Sequence, residues 1–195
     1  MMTPATMRAE ATASIQDHLR LASTFPGANI DALVAIAGVM IDCARNDGTI
    51  LWCGNGGSAA DSQHLAAELI GRFKRERRAI RSVALTTDTS VLTCLSNDYS
   101  FADIFARQVE ALARKGDVVV GISTSGNSEN VLRALQKAQS LGATTVGLLG
   151  RDGGKIKSVS DHTLIVPSDD TARIQEMHIM AGHIVCDLLE QSVTA

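Results

Sequence analysis

The sequence is poor in aromatic side chains, which make up 3% of its 195 residues. Proteins that bind single-stranded nucleic acid stack the bases on exposed aromatic rings, so this scarcity argues against such a function. The net charge of −3 gives no general attraction to nucleic acid or to an anionic membrane. Apolar residues nevertheless make up 45% of the chain, the usual share for a soluble globular protein, so an aliphatic core is expected.

The chain also lacks the cysteine pattern of a disulfide framework. None of its four cysteines (Cys43, Cys53, Cys94 and Cys186) has C-x-x-C spacing, and three stand in apolar segments where a reduced thiol packs as a small hydrophobe. The first 25 residues show no secretory signal, and we expect no apolar stretch of the length needed to span a membrane. We therefore expect a cytoplasmic protein with no membrane partner.

Short β-rich runs alternate with helical stretches from residue 48 onward, as in α/β proteins. This alternation predicts three layers, with a parallel sheet flanked by helices on both faces, and the length favours one domain over residues 1–195. The expected strands are 49–53, 81–85, 117–122, 144–149 and 162–166. Ligands bind such sheets beyond the carboxyl ends of the strands, so the candidate loops follow residues 53, 85, 122 and 166.

Residues 1–46 are predicted to form a helical pair, with helices at 8–23 and 29–46. Pro26 and Gly27 indicate a turn between them. The second helix is apolar on nearly every side and must be covered all round. Either a second subunit or the rest of the monomer could provide that cover, and we expect the pair to serve oligomerisation.

Four hydroxyls crowd the loop after the strand 117–122, just before a predicted helix. The free N–H groups and the dipole of a helix N-terminus favour an anion, and hydroxyls add donors without adding charge. A simple N-cap needs only one hydroxyl. The loop is therefore predicted to bind a phosphate monoester through Ser123, Thr124, Ser125 and Ser128. A Walker loop is absent, and Gly54-Asn55-Gly56-Gly57-Ser58 lacks the Rossmann spacing.

The helix after the GNGGS turn (54–58) places Asp61, His64, Glu68 and Arg72 on one narrow face, at spacings of 3, 4 and 4. A histidine and a glutamate four residues apart can converge on one divalent ion, and zinc, manganese or iron would accept them. Asp61 could orient the imidazole of His64. Taken alone, the His–Glu pair is equally typical of a solvated helix face.

The last helix adds Gln175 and His183, with Glu176 and His178 as alternatives. Gln175 and His183 are eight residues apart, or about 12 Å along a regular helix. They can reach one ion only if both side chains lean toward each other or if they come from different subunits, which indicates a site at an oligomer interface. His178 is interpreted as a structural histidine.

Cations are concentrated between Arg72 and Arg81. Such a run could suggest nucleic-acid binding, but cations are also favourable at a helix C-terminus. We expect a solvated loop here, with Arg72 near the substrate.

Taken together, these motifs resemble the phosphoheptose isomerases of the sugar isomerase (SIS) fold over essentially the whole chain. The resemblance rests on GNGGSAADSQHLAAELIGRF at 54–73, LSNDYSF at 95–101, GISTSGNSENV at 121–131 and RIQEMHIMAGHIVCDLLE at 173–190. The loop at 123–128, called the hydroxyl loop below, is typical of the SIS superfamily as a whole. Its combination with the histidine, glutamate and glutamine set points more specifically to the phosphoheptose isomerases.

The resemblance implies a five-stranded, flavodoxin-like sheet, a homotetramer and the conversion of sedoheptulose 7-phosphate to an aldoheptose 7-phosphate for lipopolysaccharide or capsule. It implies one Zn2+ per active site, held by His64, Glu68, Gln175 and His183. Because an aldose–ketose isomerase must move protons on carbon and on oxygen, Glu68 is the candidate catalytic base and His183 the candidate acid–base partner. The implied substrate contacts are Asn55, Gly56, Gly57, Glu68, Asn97, Asp98, Ser123, Thr124, Ser125, Ser128 and Gln175.

Two other functions fit the superfamily. A SIS-fold protein could bind a sugar phosphate without catalysis or act as an adaptor in replication initiation, but neither role needs the metal and acid–base set. An amino-sugar isomerase or an etherase would not be expected to carry this ligand set.

Overall fold

Five parallel strands form the centre of the computed structural model, which describes residues 2–193. Their order across the sheet is β2-β1-β3-β4-β5. The predicted sheet is confirmed, and every strand end lies within one residue of its expected position. The strands are β1 (Ile50–Gly54), β2 (Ser82–Ala84), β3 (Val118–Ser123), β4 (Thr144–Gly150) and β5 (His162–Val166).

Helices cover both faces of the sheet, as a parallel sheet requires. Helices α1, α2 and α6 share a core with Ile50 and Trp52 of β1, whereas α4 and α5 share the opposite core with Leu51 and Cys53. The alternation of these four side chains follows the pleat of the strand. The helices are α1 (Pro4–Arg45), α2 (Gly57–Ile70), α3 (Thr89–Asp98), α4 (Ala106–Leu112), α5 (Glu129–Ser140) and α6 (Thr171–Val193), with 3₁₀ turns at Phe101–Asp103 and Lys155–Val159.

The predicted N-terminal helical pair is wrong, because α1 is one helix of 42 residues with Pro26 inside it. Phe25, Asn29 and Leu33 are buried at intervals of four, on the face that contacts the domain. The side-chain oxygen of Asn29 accepts a hydrogen bond of 3.2 Å from the N–H of Ile165 in β5. Packing along this face outweighs the tendency of proline to end a helix.

The outer face of α1 is apolar and exposed, with Ile15, Leu19, Ile30 and Val34 each more than half accessible. Contrary to the sequence-based expectation, α1 meets the length and hydropathy criterion for a membrane span, with a mean hydropathy of 1.5 in its best window. That window is 39% buried. Since α1 packs on α6 and β5, it is a core helix of the domain.

Candidate active site

The loops that follow β1 and β3 lie side by side, at the point of the sheet where the chain changes direction. From β1 the chain proceeds to β2 on one side and then crosses to β3 on the other, so the carboxyl ends of β1 and β3 are neighbours. Asn55 follows β1, and its amide exchanges two hydrogen bonds of 2.9 Å with the amide of Asn130 in α5. Asn130 was not predicted, because a polar residue in the first turn of a helix gives no distinctive signal.

Two glycines shape the start of α2. Gly56 has a φ of 55° and a ψ of −121°, a conformation that residues with a side chain rarely adopt. A Cβ added to Gly57 would collide with the side chain of Gln175 in α6. The amide of Gln175 therefore lies against the N-terminus of α2. His64 is seven residues further along this helix, about 10 Å in axial distance.

The hydroxyl loop forms the second part of the site. The Ser123 hydroxyl lies 3.0 Å from that of Ser128 and 3.4 Å from that of Ser125, and Thr124 between them is half-buried. Ser128 occupies the N-cap position of α5, but its side chain makes no capping hydrogen bond. The hydroxyls therefore cluster beside the helix N-terminus instead of saturating it, which suits anion binding.

The segment after β4 packs against the hydroxyl loop and forms hydrogen bonds with it. Gly126 has a φ of 65°, and a Cβ there would collide with the backbone of Gly153. The carbonyl of Gly126 accepts a hydrogen bond of 2.9 Å from the N–H of Ile156, and the Asn127 side chain accepts one of 3.1 Å from the N–H of Lys155. These contacts hold the loop in a defined shape.

His64, Glu68 and His183 converge within one chain. Each offers a ligand atom, and the three atoms lie within 4.8 Å of one another. His64 Nε2 is 2.8 Å from His183 Nε2 and 3.4 Å from a carboxylate oxygen of Glu68. Burial, and secondly the adjacent imidazole of His64, lower the pKa of His183, although the Glu68 carboxylate opposes them. The lowered pKa favours the neutral imidazole of His183, the form that binds metals.

Arg72 and Asp61, which were also predicted on this helix face, make no hydrogen bond with the cluster in the described part of the chain. Arg72 is exposed beyond the end of α2 at Ile70, so it does not continue the helix face. No hydrogen bond joins Asp61 to His64 in residues 2–193, and one carboxylate oxygen of Asp61 is buried without a partner. Burial raises the pKa of Asp61, while His64 lowers it to a smaller extent.

Asn97 and Asp98 lie at the exposed end of α3, where the Asn97 amide donates to the Asp98 carboxylate at 2.7 Å. The alternatives on α6 have partners away from the cluster. Glu176 accepts from His18 of α1 at 2.7 Å. His178 is fully buried and lies 3.0 Å from the carbonyl of Leu149, as expected of a structural histidine.

The basic segment after α2 is not the solvated loop that was expected. The Arg77 side chain is 1% exposed and lies 3.3 Å from the carboxylate of Glu190, which is fully buried in α6. Lys74 and Arg75 pair with Asp187, also in α6, at 2.8 and 2.6 Å. The sequence could not identify these partners because they are distant along the chain.

Comparisons with known proteins agree with this geometry. The SIS domain family model matches residues 15–150. A phosphoheptose isomerase of Nitratiruptor sp. is 60% identical over 154 residues, which cover 79% of this chain and 82% of the relative. The solved structure of a phosphoheptose isomerase from Neisseria gonorrhoeae has a TM-score of 0.91 and 46% identity, covering 95% of this chain and 100% of that one. Another from Francisella tularensis has a TM-score of 0.87 and 36% identity, covering 98% and 100%.

The parallel sheet and the family-model match over residues 15–150 place the chain in the SIS domain family. Within the SIS domain family, the chain belongs to the phosphoheptose isomerases. It is an isomerase enzyme.

The missing cap at Ser128 gives a testable distinction. Ser128→Ala should lower the free energy of unfolding by less than about 0.5 kcal/mol, since no capping bond is lost and the Ser123 hydroxyl, which loses its contact with Ser128, still has Ser125 at 3.4 Å. The variant should nevertheless weaken sugar-phosphate binding. Asp88→Ala is the matched control, because Asp88 caps α3 by accepting from the N–H of Val91 at 3.0 Å. Its loss should cost about 1 kcal/mol. Urea unfolding measures the stability of each variant, and a titration with a phosphate ester measures binding. Equal losses of stability in the two variants would contradict the conclusion that Ser128 does not cap α5.

His178 should make stability depend on pH. Burial lowers the pKa of His178 from 6.5 to about 4, although the hydrogen bond to Leu149 opposes the change. Between these values the unfolded chain binds the proton and the folded chain does not, so stability falls as pH decreases, by up to about 1.4 kcal/mol per unit. His178→Gln should flatten this slope in urea unfolding at pH 7 and pH 5. His162→Gln, in β5, is the control, and an unchanged slope in His178→Gln would refute the effect.

Proposed function

We propose that the chain converts D-sedoheptulose 7-phosphate to D-glycero-D-manno-heptopyranose 7-phosphate, an aldose–ketose isomerisation through a cis-enediol. The main support is the convergence of His64, Glu68 and His183 in a member of this family. A non-catalytic sugar-phosphate binder or replication adaptor would not need this cluster. The product would enter the synthesis of heptose precursors for lipopolysaccharide or capsule.

The spacing of the two parts of the site supports a long sugar phosphate. Asn55 contacts the helix that follows the hydroxyl loop, and His64 lies about 10 Å along α2 from Gly57. A seven-carbon phosphate in an extended conformation has a length of this order. We assign its phosphate to the hydroxyl loop and its reactive end to the cluster. The full proposed contact set is Asn55, Gly56, Gly57, Glu68, Asn97, Asp98, Ser123, Thr124, Ser125, Ser128 and Gln175.

The donor set fits a zinc ion, with two imidazole nitrogens and a carboxylate oxygen. Two nitrogens on one tetrahedral zinc stand about 3.3 Å apart, given Zn–N distances of about 2.0–2.1 Å. The observed 2.8 Å between His64 and His183 is slightly shorter, so a small outward movement of the rings would accommodate the ion. Gln175 is proposed as the fourth ligand. Since its amide lies against Gly57, a neighbouring subunit or a change of rotamer would have to supply it.

The reaction moves one proton between C1 and C2 and another between the two oxygens. Glu68 is proposed to take the proton from C1 of the ketose and return it to C2. His183 is proposed to donate a proton to O2 as the enediol forms, and to remove the O1 proton as the aldose forms. Zinc, when bound, would polarise the carbonyl oxygen as a Lewis acid. A carboxylate bound to a metal is a weaker base, so Glu68 would alternate between the two roles or the ion would mainly position the sugar.

We further propose a homotetramer with active sites at subunit interfaces, in which residues 1–46 contribute to assembly. The exposed apolar face of α1 supports this, because Ile30 and Val34 are 51% and 57% accessible. A cytoplasmic location is supported by the four free cysteines, three of them buried.

The direct test follows purified protein with sedoheptulose 7-phosphate by NMR of the sugar. We expect aldoheptose 7-phosphate to appear, activity to fall after chelation, and activity to return when zinc is added. No conversion of sedoheptulose 7-phosphate under any metal condition would refute the proposed function.

Variants test the two catalytic roles. Glu68→Gln and His183→Gln should each lower turnover by about 10²–10⁴-fold, the range for loss of a general acid or base, while circular dichroism shows an intact fold. Glu110→Gln, an exposed carboxylate of α4, should keep normal turnover. Near-normal turnover in both cluster variants would exclude these roles.

A further inference from the structure

The turn after α2, residues 72–78, is held on α6 by one buried carboxylate. Glu190 accepts hydrogen bonds from three consecutive backbone N–H groups, those of Phe73 at 3.0 Å and of Lys74 and Arg75 at 2.8 Å each. Burial raises the pKa of Glu190, but these three bonds and the charge of Arg77 together bring it below its ordinary value. The carboxylate is therefore ionised, and three amides and a guanidinium compensate for its burial.

Arg77 connects this carboxylate to the end of α2. Its guanidinium donates to the carbonyls of Glu68 at 2.8 Å and of Leu69 at 2.9 Å, and it lies 3.3 Å from Glu190. The C-terminal carbonyls of a helix have no partners within the helix, so Arg77 satisfies the end of α2. One buried ion pair thus joins the helix that carries His64 and Glu68 to the helix that carries His183.

Phe73, which lies in the anchored turn, contacts the cluster directly. Its ring stacks on the imidazole of His183, with centroids 5.3 Å apart and planes inclined by 21°. The His64 ring approaches the same imidazole edge-on at 5.1 Å. His183 is therefore held on one side by Phe73 and on another by His64. The Lys74 ammonium lies 4.9 Å from the centroid of the Phe73 ring, which further restrains the ring.

We propose that the turn 72–78, anchored by the Arg77–Glu190 pair, is a positioning device for the cluster and that Phe73 is its positioning residue for His183. Rings oriented before an ion or substrate arrives need less reordering on binding, and partners that orient metal ligands affect affinity strongly. The inference rests on the proposed function for its consequences in catalysis, but the positioning itself is a property of the protein alone.

The first test is metal-independent. In NMR of metal-free protein labelled at histidine, stacking on Phe73 should shift the ring protons of His183 upfield. The shift should be lost in Phe73→Leu and retained in Phe73→Tyr, which keeps an aromatic ring. Unshifted His183 protons in the wild type would overturn the proposal. An upfield shift in protein that never converts sedoheptulose 7-phosphate would refute the proposed function and leave the positioning intact.

The second test measures zinc affinity by competition with a chromophoric chelator. Phe73→Leu should weaken zinc binding by about 10–100-fold, and Phe73→Tyr should restore it. Phe105→Leu is the matched control, because Phe105 is buried in the core on the opposite face of the sheet. It should lower the Tm without changing zinc affinity. Equal zinc affinity in wild type and Phe73→Leu would overturn the proposal.

Glu190→Gln tests the anchor itself. The variant should lose zinc affinity and the His183 shift together, because the turn no longer holds Phe73. If this variant does not fold, Phe73→Leu and Phe73→Tyr still decide the question. A folded Glu190→Gln with wild-type zinc affinity and shift would exclude a role for the anchor.

Discussion

The close approach of α2 and α6 is the contact on which the arrangement of the site depends. A Cβ on Gly182 would lie 2.6 Å from a methyl group of Leu65, and Leu65 is fully buried. The adjacent residues along the chain are His183 and His64. A larger residue at position 182 would require either the Leu65 side chain to move or the two helices to separate, and separation of the helices would also move the imidazoles apart. The chemistry at the surface is thus set by packing directly beneath it.

The second constraint is the change of chain direction between β1 and β3, which sets where the cluster lies relative to the hydroxyl loop. β1 leads into Asn55 and α2, while β3 leads into Ser123 and α5, and the Asn55–Asn130 pair joins the two loops. Since α2 begins at this junction and carries His64 further along, the helix sets the separation between the hydroxyl loop and the cluster. Under the proposed function, the sheet and this helix would define the length of the ligand.

Local signals predicted the sheet well and long-range contacts poorly. The strand 162–166 was placed correctly because Pro167 ends a β-rich run, and the i, i+4 spacing of His64 and Glu68 indicated a shared face. Pro26 was misleading, because the contacts that keep α1 continuous, such as Asn29 with Ile165, lie far away in sequence. The contact between Arg77 and Glu190 is also distant along the chain. Charged residues are normally expected at the surface, but these two side chains are buried in the fold. Asn130 and Phe73 entered the site only through tertiary contacts.

The contact between the two histidines bears on how the cluster could serve two chemical roles. At 2.8 Å, the two Nε2 atoms form a hydrogen bond when one of them carries a proton and the other accepts it. If both rings bind an ion through Nε2, the donating ring would have to carry its proton on Nδ1 instead, as the accepting ring already does. The hydrogen bond and the metal-bound arrangement are therefore alternatives that use the same two atoms. Because the rings are already adjacent, changing between them requires a proton transfer and a small separation, with no rearrangement of α2 or α6.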